Sequence, residues 1–173
     1  GVILRDSGTW GVHLVESAIE AGWVLKQLII SASGLENPEV QRLKIGHSCV
    51  YFADSLFKAL TDVVTPVGVL GVFQRRRQSP ISTSGCVLLL EQVQDPGNVG
   101  AILRTASAMG VNQVWLTPGS ADPWSPKVLR AGMGAHFFLD IQEAALDDLP
   151  IAAFEGAVAI TTLEGASPLY DVK

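Results

Sequence analysis

The chain has 173 residues, 48% of them hydrophobic and 17% charged, with a net charge of −5. That length and apolar content suit one large or two small globular domains with real cores. No apolar run reaches the roughly 20 residues of a membrane span, and no basic-plus-apolar leader opens the chain, so a soluble, cytoplasmic protein with no membrane partner is expected.

The acidic balance argues mildly against RNA, because phosphate contacts normally need a basic surface. The cations are nevertheless clustered. Arg75, Arg76 and Arg77 form one run, and Arg104, Lys127 and Arg130 fall in another short region. A globally acidic protein can still present a basic stripe. Cys49 and Cys86 lie far apart and in no paired motif, which predicts two buried, reduced thiols. No Cys/His cluster has zinc spacing, and no metal is expected.

The first 73 residues alternate helix and strand signals. Leu14, Ala18 and Ala21 share helical spacing over residues 13–21, which Gly22 closes. Residues 25–31 read as a strand, 36–44 as a helix with Pro38 in its first turn, and 48–52 as a short strand. Asp54 is placed to cap a helix running through Leu60, and 67–73 form a final strand. The pattern is that of a small α/β sandwich. Residues 74–85 are polar, with Pro80 and Gly85, and read as an interdomain linker. Its arginines are either a solvated run or an RNA contact.

The second half, from residue 86, alternates strand and helix more clearly. Residues 86–90 are a buried strand, 100–109 a helix closed by Gly110, 111–116 a strand and 126–131 a short helix. Residues 136–141 and 157–162 are two more strands. Such alternation implies a mostly parallel sheet with right-handed crossovers. On the 100–109 helix, Ile102, Ala106 and Met109 are expected to face the sheet, which turns Arg104 outward. Asn98 is expected to cap that helix, leaving Arg104 near its start. An arginine there is slightly unfavourable with the dipole, so a phosphate, a carboxylate or the nearby Glu91 should hold it.

Alone, Asn98-x-Gly100-x-x-x-Arg104 is a weak pattern. With its flanks, from Leu90-Glu91-Gln92 through Asp95-Pro96-Gly97 to Arg104-Thr105-Ala106, it resembles motif 1 of the SpoU-type RNA ribose 2′-O-methyltransferases. The segment from Asp122 through Ser125-Pro126-Lys127 to Arg130-Ala131-Gly132-Met133-Gly134-Ala135 is similar to the same family, with Gly132 where a small polar residue is common. The N-terminal part, through residues 11–18 and 61–69, resembles the family's accessory RNA-binding domain, related to kink-turn-binding ribosomal proteins.

The resemblance implies an α/β SPOUT-superfamily fold with a trefoil knot, a homodimer, and S-adenosylmethionine as cofactor. It divides the chain into residues 1–73 for RNA binding, a linker, and residues 86–173 as an incomplete methyltransferase domain. It implies a role for Arg104 in deprotonating a ribose 2′-hydroxyl of ribosomal or transfer RNA. Asn98 would shape the loop and place the ribose, and Glu91 would orient Arg104. Lys127 and Arg130 would hold RNA phosphate, joined by Arg75, Arg76 and Arg5. Thr161, Thr162, Leu163 and Gly165 match the first of three cofactor loops. The family's Gly-x-Glu-x-x-Gly and Ser-Leu-Asn segments are not in the sequence. A longer parent chain is therefore expected, as are missing residues near positions 7–11. Two other readings stand beside this one: a non-catalytic RNA-binding paralogue, and a Rossmann-type nucleotide enzyme. The latter needs a Gly-x-Gly-x-x-Gly turn that residues 92–100 do not supply.

Overall fold

The computed structural model describes residues 2–4, 11–61, 66–77 and 79–161. It contains two sheets. The first has the order β1-β4-β2-β3 and the second β5-β6-β7. In the first, β2 (Leu25–Ser31) pairs in parallel with β3 (Cys49–Phe52), while β4 (Val69–Phe73) runs antiparallel to both β1 (Val2–Leu4) and β2. In the second, β5 (Val87–Leu90), β6 (Gln113–Leu116) and β7 (Asp140–Glu143) are all parallel, in the register Leu88↔Val114 and Val114↔Ile141.

The helices follow from their apolar spacing. α1 (Gly11–Glu20) buries Val12, Val15 and Ala18 on one face. In α2 (Pro38–Leu43), Asn37 accepts from the Glu39 N–H and proline occupies the first turn. α3 (Asp54–Leu60) is not capped by Asp54. That carboxylate instead accepts from the backbone N–H and hydroxyl of Ser33, which hold it below the usual carboxylate range. The competing donors lie in a 3-10 turn, Ser33–Glu36, that sequence periodicity does not reveal.

α4 (Pro96–Ala108) begins one turn earlier than its periodicity suggests, because Asp95 and not Asn98 is its cap. Asp95 Oδ1 accepts from the Asn98 N–H at 2.7 Å, and Pro96 starts the helix without a donor to satisfy. The buried stripe is Val99, Gly100, Leu103 and Ala106, while Met109 lies past the last turn and is 78% exposed. Gly110 closes the helix with φ +76°.

Gly100 is where α4 meets α5 (Pro126–Gly132). A β-carbon on Gly100 would stand 2.4 Å from Ala131 Cβ and 2.8–2.9 Å from the Val128 carbonyl oxygen and Gly132 nitrogen. Two of those neighbours are backbone and cannot rotate away. Beyond α5 the chain does not enter a strand at residue 136. A 3-10 turn, Ala135–Phe137, folds His136 and Phe137 inward first, and β7 starts at Asp140. Nor do residues 157–161 form a strand. None of the described strands pairs there.

The two cores meet in an aromatic joint. Trp23 packs edge-on to Phe137 (5.6 Å between centroids) and donates from its indole N–H to the Phe137 carbonyl. Trp124 lies 6.0 Å from Trp23 and 5.4 Å from the His136 ring. Leu129 and Phe137 thereby join the core of the first sheet. The linker is anchored along this joint and on the second sheet. The Arg75 guanidinium stacks on Trp124 at 4.4 Å and pairs with Glu143, and Arg76 lies over Trp23 and donates to the Ala21 carbonyl. Gln113 is fully used: its oxygen accepts from the Ser82 N–H and the Trp115 indole, and its amide donates to Pro80 O and Asp140. Gln142 donates to Ser79 O. Arg75 and Arg76 are therefore structural groups, not a solvated run. Cys49 and Cys86 are free, but Cys49 is half-buried and Cys86 exposed, which corrects the expectation of two buried thiols. No helix among the described residues is long and apolar enough to cross a membrane.

His136 is 1% exposed. A carbonyl only accepts, so Nε2 carries hydrogen and donates to Pro123 O at 2.7 Å, and Nδ1 is left bare. A β-carbon on Gly132 would press on this ring at 2.7 Å. Desolvation pushes the His136 pKa down to about 4, against the smaller opposite effect of the Pro123 bond.

Three outcomes follow for stability. Gly100→Ala should lose about 1–3 kcal/mol of unfolding free energy by overpacking the α4–α5 contact, read from urea midpoints. Asp95→Ala should lose about 1 kcal/mol, with Asn98→Ala well below it, if the cap is Asp95; equal losses would return that role to Asn98. An unfolded His136 titrates near 6.5 and a folded one at about 4, so the unfolded chain takes up the proton first. This contribution is full above pH 6.5 and falls by roughly 3 kcal/mol at most on descending to pH 4. His136→Gln should flatten that part of the pH profile, and parallel wild-type and mutant profiles would contradict it.

Candidate active site

The carboxyl edge of the parallel sheet is built from two loops that hold each other. The first, after β5, passes through Gln92, a non-glycine residue at φ +50°. This left-handed conformation costs energy unless its surroundings enforce it. Here the Gln92 N–H donates to Thr117 Oγ1 at 3.0 Å and the Val93 N–H to Ser120 Oγ at 3.2 Å. Both hydroxyls belong to the second loop, after β6. That loop donates back through the Thr117 N–H to Leu90 O and the Ala121 N–H to Val93 O. Four hydrogen bonds thus fix the backbone that delivers Glu91 and launches α4. Thr117 and Ser120 were not singled out from sequence, where Thr117-Pro118-Gly119-Ser120 reads as an ordinary turn. Asp95 was missed as a cap, although an Asp-Pro pair is a recognisable helix start.

α4 carries Asn98 in its first turn and Arg104 two turns in. Arg104 is exposed, as the helical geometry predicts. Its mid-helix position makes the dipole argument inapplicable, since that field acts within the terminal turns. No ion pair joins it to Glu91, which is also exposed. The expected internal partner is therefore not used, and among the described residues the Arg104 guanidinium has no carboxylate against it. Lys127 and Arg130 stand exposed on α5, the helix that contacts α4 at Gly100. The fold thus brings Arg104, Lys127 and Arg130 onto two packed helices. Arg75 and Arg76 belong instead to the aromatic joint. Arg5 lies outside the described residues.

Of the residues matched to a cofactor loop, Thr161 is exposed in irregular chain, and Thr162, Leu163 and Gly165 lie outside the described residues. The described groups at this edge do not enclose a cofactor, and a cavity of about 180 Å³ lies at the other end of the sheet, beside Asn112 and Asp140. No group of three or more His, Cys, Asp or Glu residues able to hold a metal occurs among the described residues. What the edge offers is electrostatic chemistry: one guanidinium unpaired among the described residues, an exposed amide in the first turn of the same helix, and two further cations suited to a polyanion.

Residues 85–173 match the SpoU rRNA Methylase family. The chain is 39% identical over 140 residues to rRNA methyltransferase 3, mitochondrial, of Xenopus tropicalis, covering 76% of this chain and 34% of that protein. It is 34% identical over 166 residues to the 23S rRNA (guanosine(2553)-2'-O)-methyltransferase RlmP of Bacillus subtilis, covering 94% of this chain and 64% of that protein. Among solved structures, the AdoMet-bound rRNA methyltransferase from Sinorhizobium meliloti superposes with a TM-score of 0.66 at 29% identity, over 85% of this chain and 55% of that one. The chain therefore spans between about a third and two thirds of the length of these curated relatives. The family match takes in more than half of the chain, including the strand β5, both tied loops, Asn98, Arg104 and α5; the chain belongs to the SpoU rRNA methylase family.

Proposed function

We propose that this chain is part of an RNA 2′-O-ribose methyltransferase, with S-adenosylmethionine as methyl donor and ribosomal or transfer RNA as acceptor. The single observation that carries the reading is Arg104: an exposed guanidinium without a carboxylate partner among the described residues, on a helix whose starting loop is hydrogen-bonded in place, in a family of rRNA methylases. The names of the relatives favour ribosomal RNA, and the Bacillus relative's name specifies a guanosine 2′-O position.

In this reading the cofactor supplies the methyl group, and the residues of this chain act on the acceptor. The ribose O2′ would bond to the methyl carbon as the donor's sulfur–carbon bond breaks, leaving the neutral thioether, while the hydroxyl gives up its proton. Arg104 is too weakly acidic in its charged form to serve as the base, since guanidinium stays protonated throughout the physiological range. Its fixed cation instead stabilises the developing alkoxide, assisted by a substrate phosphate that orients the guanidinium, and the proton passes to solvent. Charge stabilisation of this kind is strongest where the donor is already oriented. Asn98 orients the ribose from the first turn of α4, Glu91 orients the loop, and Lys127 and Arg130 hold flanking phosphates. The first sheet and α1–α3 form a separate RNA-binding unit up to residue 73. The homodimer and knotted cofactor site implied by the family belong to this proposal as well.

Arg104→Ala should lower methyl transfer to RNA at least about 100-fold, the usual cost of removing an oriented donor. Thermal stability should stay within about 0.5 kcal/mol, because the residue is exposed and has no partner among the described residues. The measurement is incorporation of labelled methyl groups into ribosomal RNA by the parent protein. Undiminished transfer would remove Arg104 from the chemistry. Loss of RNA binding in the variant, with no transfer by the wild type, would favour a non-catalytic RNA-binding protein.

A further inference from the structure

The aromatic joint leaves a cavity of about 180 Å³ open between the two sheets. At roughly 30 Å³ per liquid water, it has room for a small planar or anionic group. It lies at the amino end of β6 and β7, lined by Asn112 and Asp140. The methyl-transfer edge is at the opposite ends of these strands, so the cavity is a different place.

Its walls combine cations with aromatic faces. Arg75 and Arg76 line it, but each already rests on a tryptophan and has a hydrogen-bond partner. Arg77 lines it too, exposed and without an ion pair or hydrogen bond to any described residue. Phe138 is 65% exposed at the rim, an aromatic face without a stacking partner among the described residues. Asn112 is exposed and offers both a donor and an acceptor. The one carboxylate present, Asp140, already accepts from Gln113 and Gln142. A free cation, an uncovered aromatic face and an unpaired amide around a small cavity are the groups that hold a phosphate, a base plane and a base edge.

We propose that this cavity binds one unpaired nucleotide of the RNA, with Phe138 stacking on the base and Arg77 pairing with the phosphate. The proposal rests on the RNA-acting reading above and adds a second anchor, away from the reacting ribose. A four-residue strand spans about 13 Å, so the anchored nucleotide and the target ribose are different nucleotides of the RNA. Selection then depends on a loop or bulge that presents both at once. The known chemistry of the reaction does not need this site; the choice of RNA does.

The test is fluorescence anisotropy of the parent protein with a fluorescein-labelled 12-nucleotide oligouridylate and with a blunt duplex of equal length. Quenching of tryptophan emission is followed in parallel, because Trp23 and Trp124 line the cavity. The single strand should bind at least tenfold more tightly than the duplex and quench the tryptophans. Phe138→Ala should weaken it about tenfold, the scale of one lost base stack. Arg77→Ala should weaken it and lower the slope of log affinity against log salt by about 0.7, one phosphate on a single strand. Both side chains are exposed, so melting temperatures should not move. Unchanged affinity in Phe138→Ala, or equal binding of duplex and single strand, would overturn the proposal. Uridine monophosphate at millimolar concentration that displaces the oligonucleotide completely would also overturn it, in favour of a free-nucleotide site. These readouts do not involve methyl transfer: an Arg104→Ala variant that still methylates RNA sinks the catalytic reading alone.

Discussion

The close approach of α4 to α5 at Gly100 is the constraint on which the rest depends. With no side chain there, the two helices touch through backbone. The same compactness continues one step further, because Gly132 leaves room for the His136 ring, which lies against Trp124, which in turn packs on Trp23 of the other core. Packing at native density transmits such a displacement instead of absorbing it. A bulkier α4–α5 contact would therefore move the cations relative to one another and also strain the joint between the sheets. The absence of a side chain at Gly132 is explained by this: the space is already taken by the His136 imidazole.

The arginines divide according to what surrounds them. Arg75 and Arg76 are spent on holding the halves together, since each lies over an indole and is paired with a carboxylate or carbonyl. Among the described residues Arg77 and Arg104 have no such partners and remain available to an anion. This division reconciles an overall acidic chain with the nucleic-acid substrate proposed for it. Net charge governs the distant field, whereas binding depends on a few uncompensated cations at short range, where screening by salt has less effect. It also shows why runs of like charge are poor guides to binding sites on their own.

At the carboxyl edge, order is maintained by hydroxyls. Thr117 and Ser120 satisfy the backbone N–H groups of Gln92 and Val93, and so hold a left-handed residue in the loop that carries Glu91 to the base of α4. A loop fixed in this way places Asn98 and Arg104 without needing contact between them. In the proposed reaction, a fixed helix start of this sort would matter for a group whose contribution is a static charge, because the backbone that carries it need not be ordered during the reaction.

Much was legible along the chain because it depends on local patterning. The strand at 25–31 and the helix ending near Leu60 follow from alternation, apolar spacing and turn residues, as does the outward direction of Arg104; each depends on neighbours within a turn or two. The family, too, could be read from one contiguous stretch around Asn98 and Arg104. Tertiary structure decided what required distant partners. Asp54 turned to Ser33 instead of capping its own helix, and Gln113 and Gln142 drew a polar linker into fixed contact. His136 was buried where a strand was expected, and residues 157–161 pair with none of the described strands. Whether an arginine binds RNA or a tryptophan was likewise undetermined by its position in the chain. That outcome depends on which side chains folding brings within a few ångströms, and the sequence by itself determined only that the cations were there to be placed.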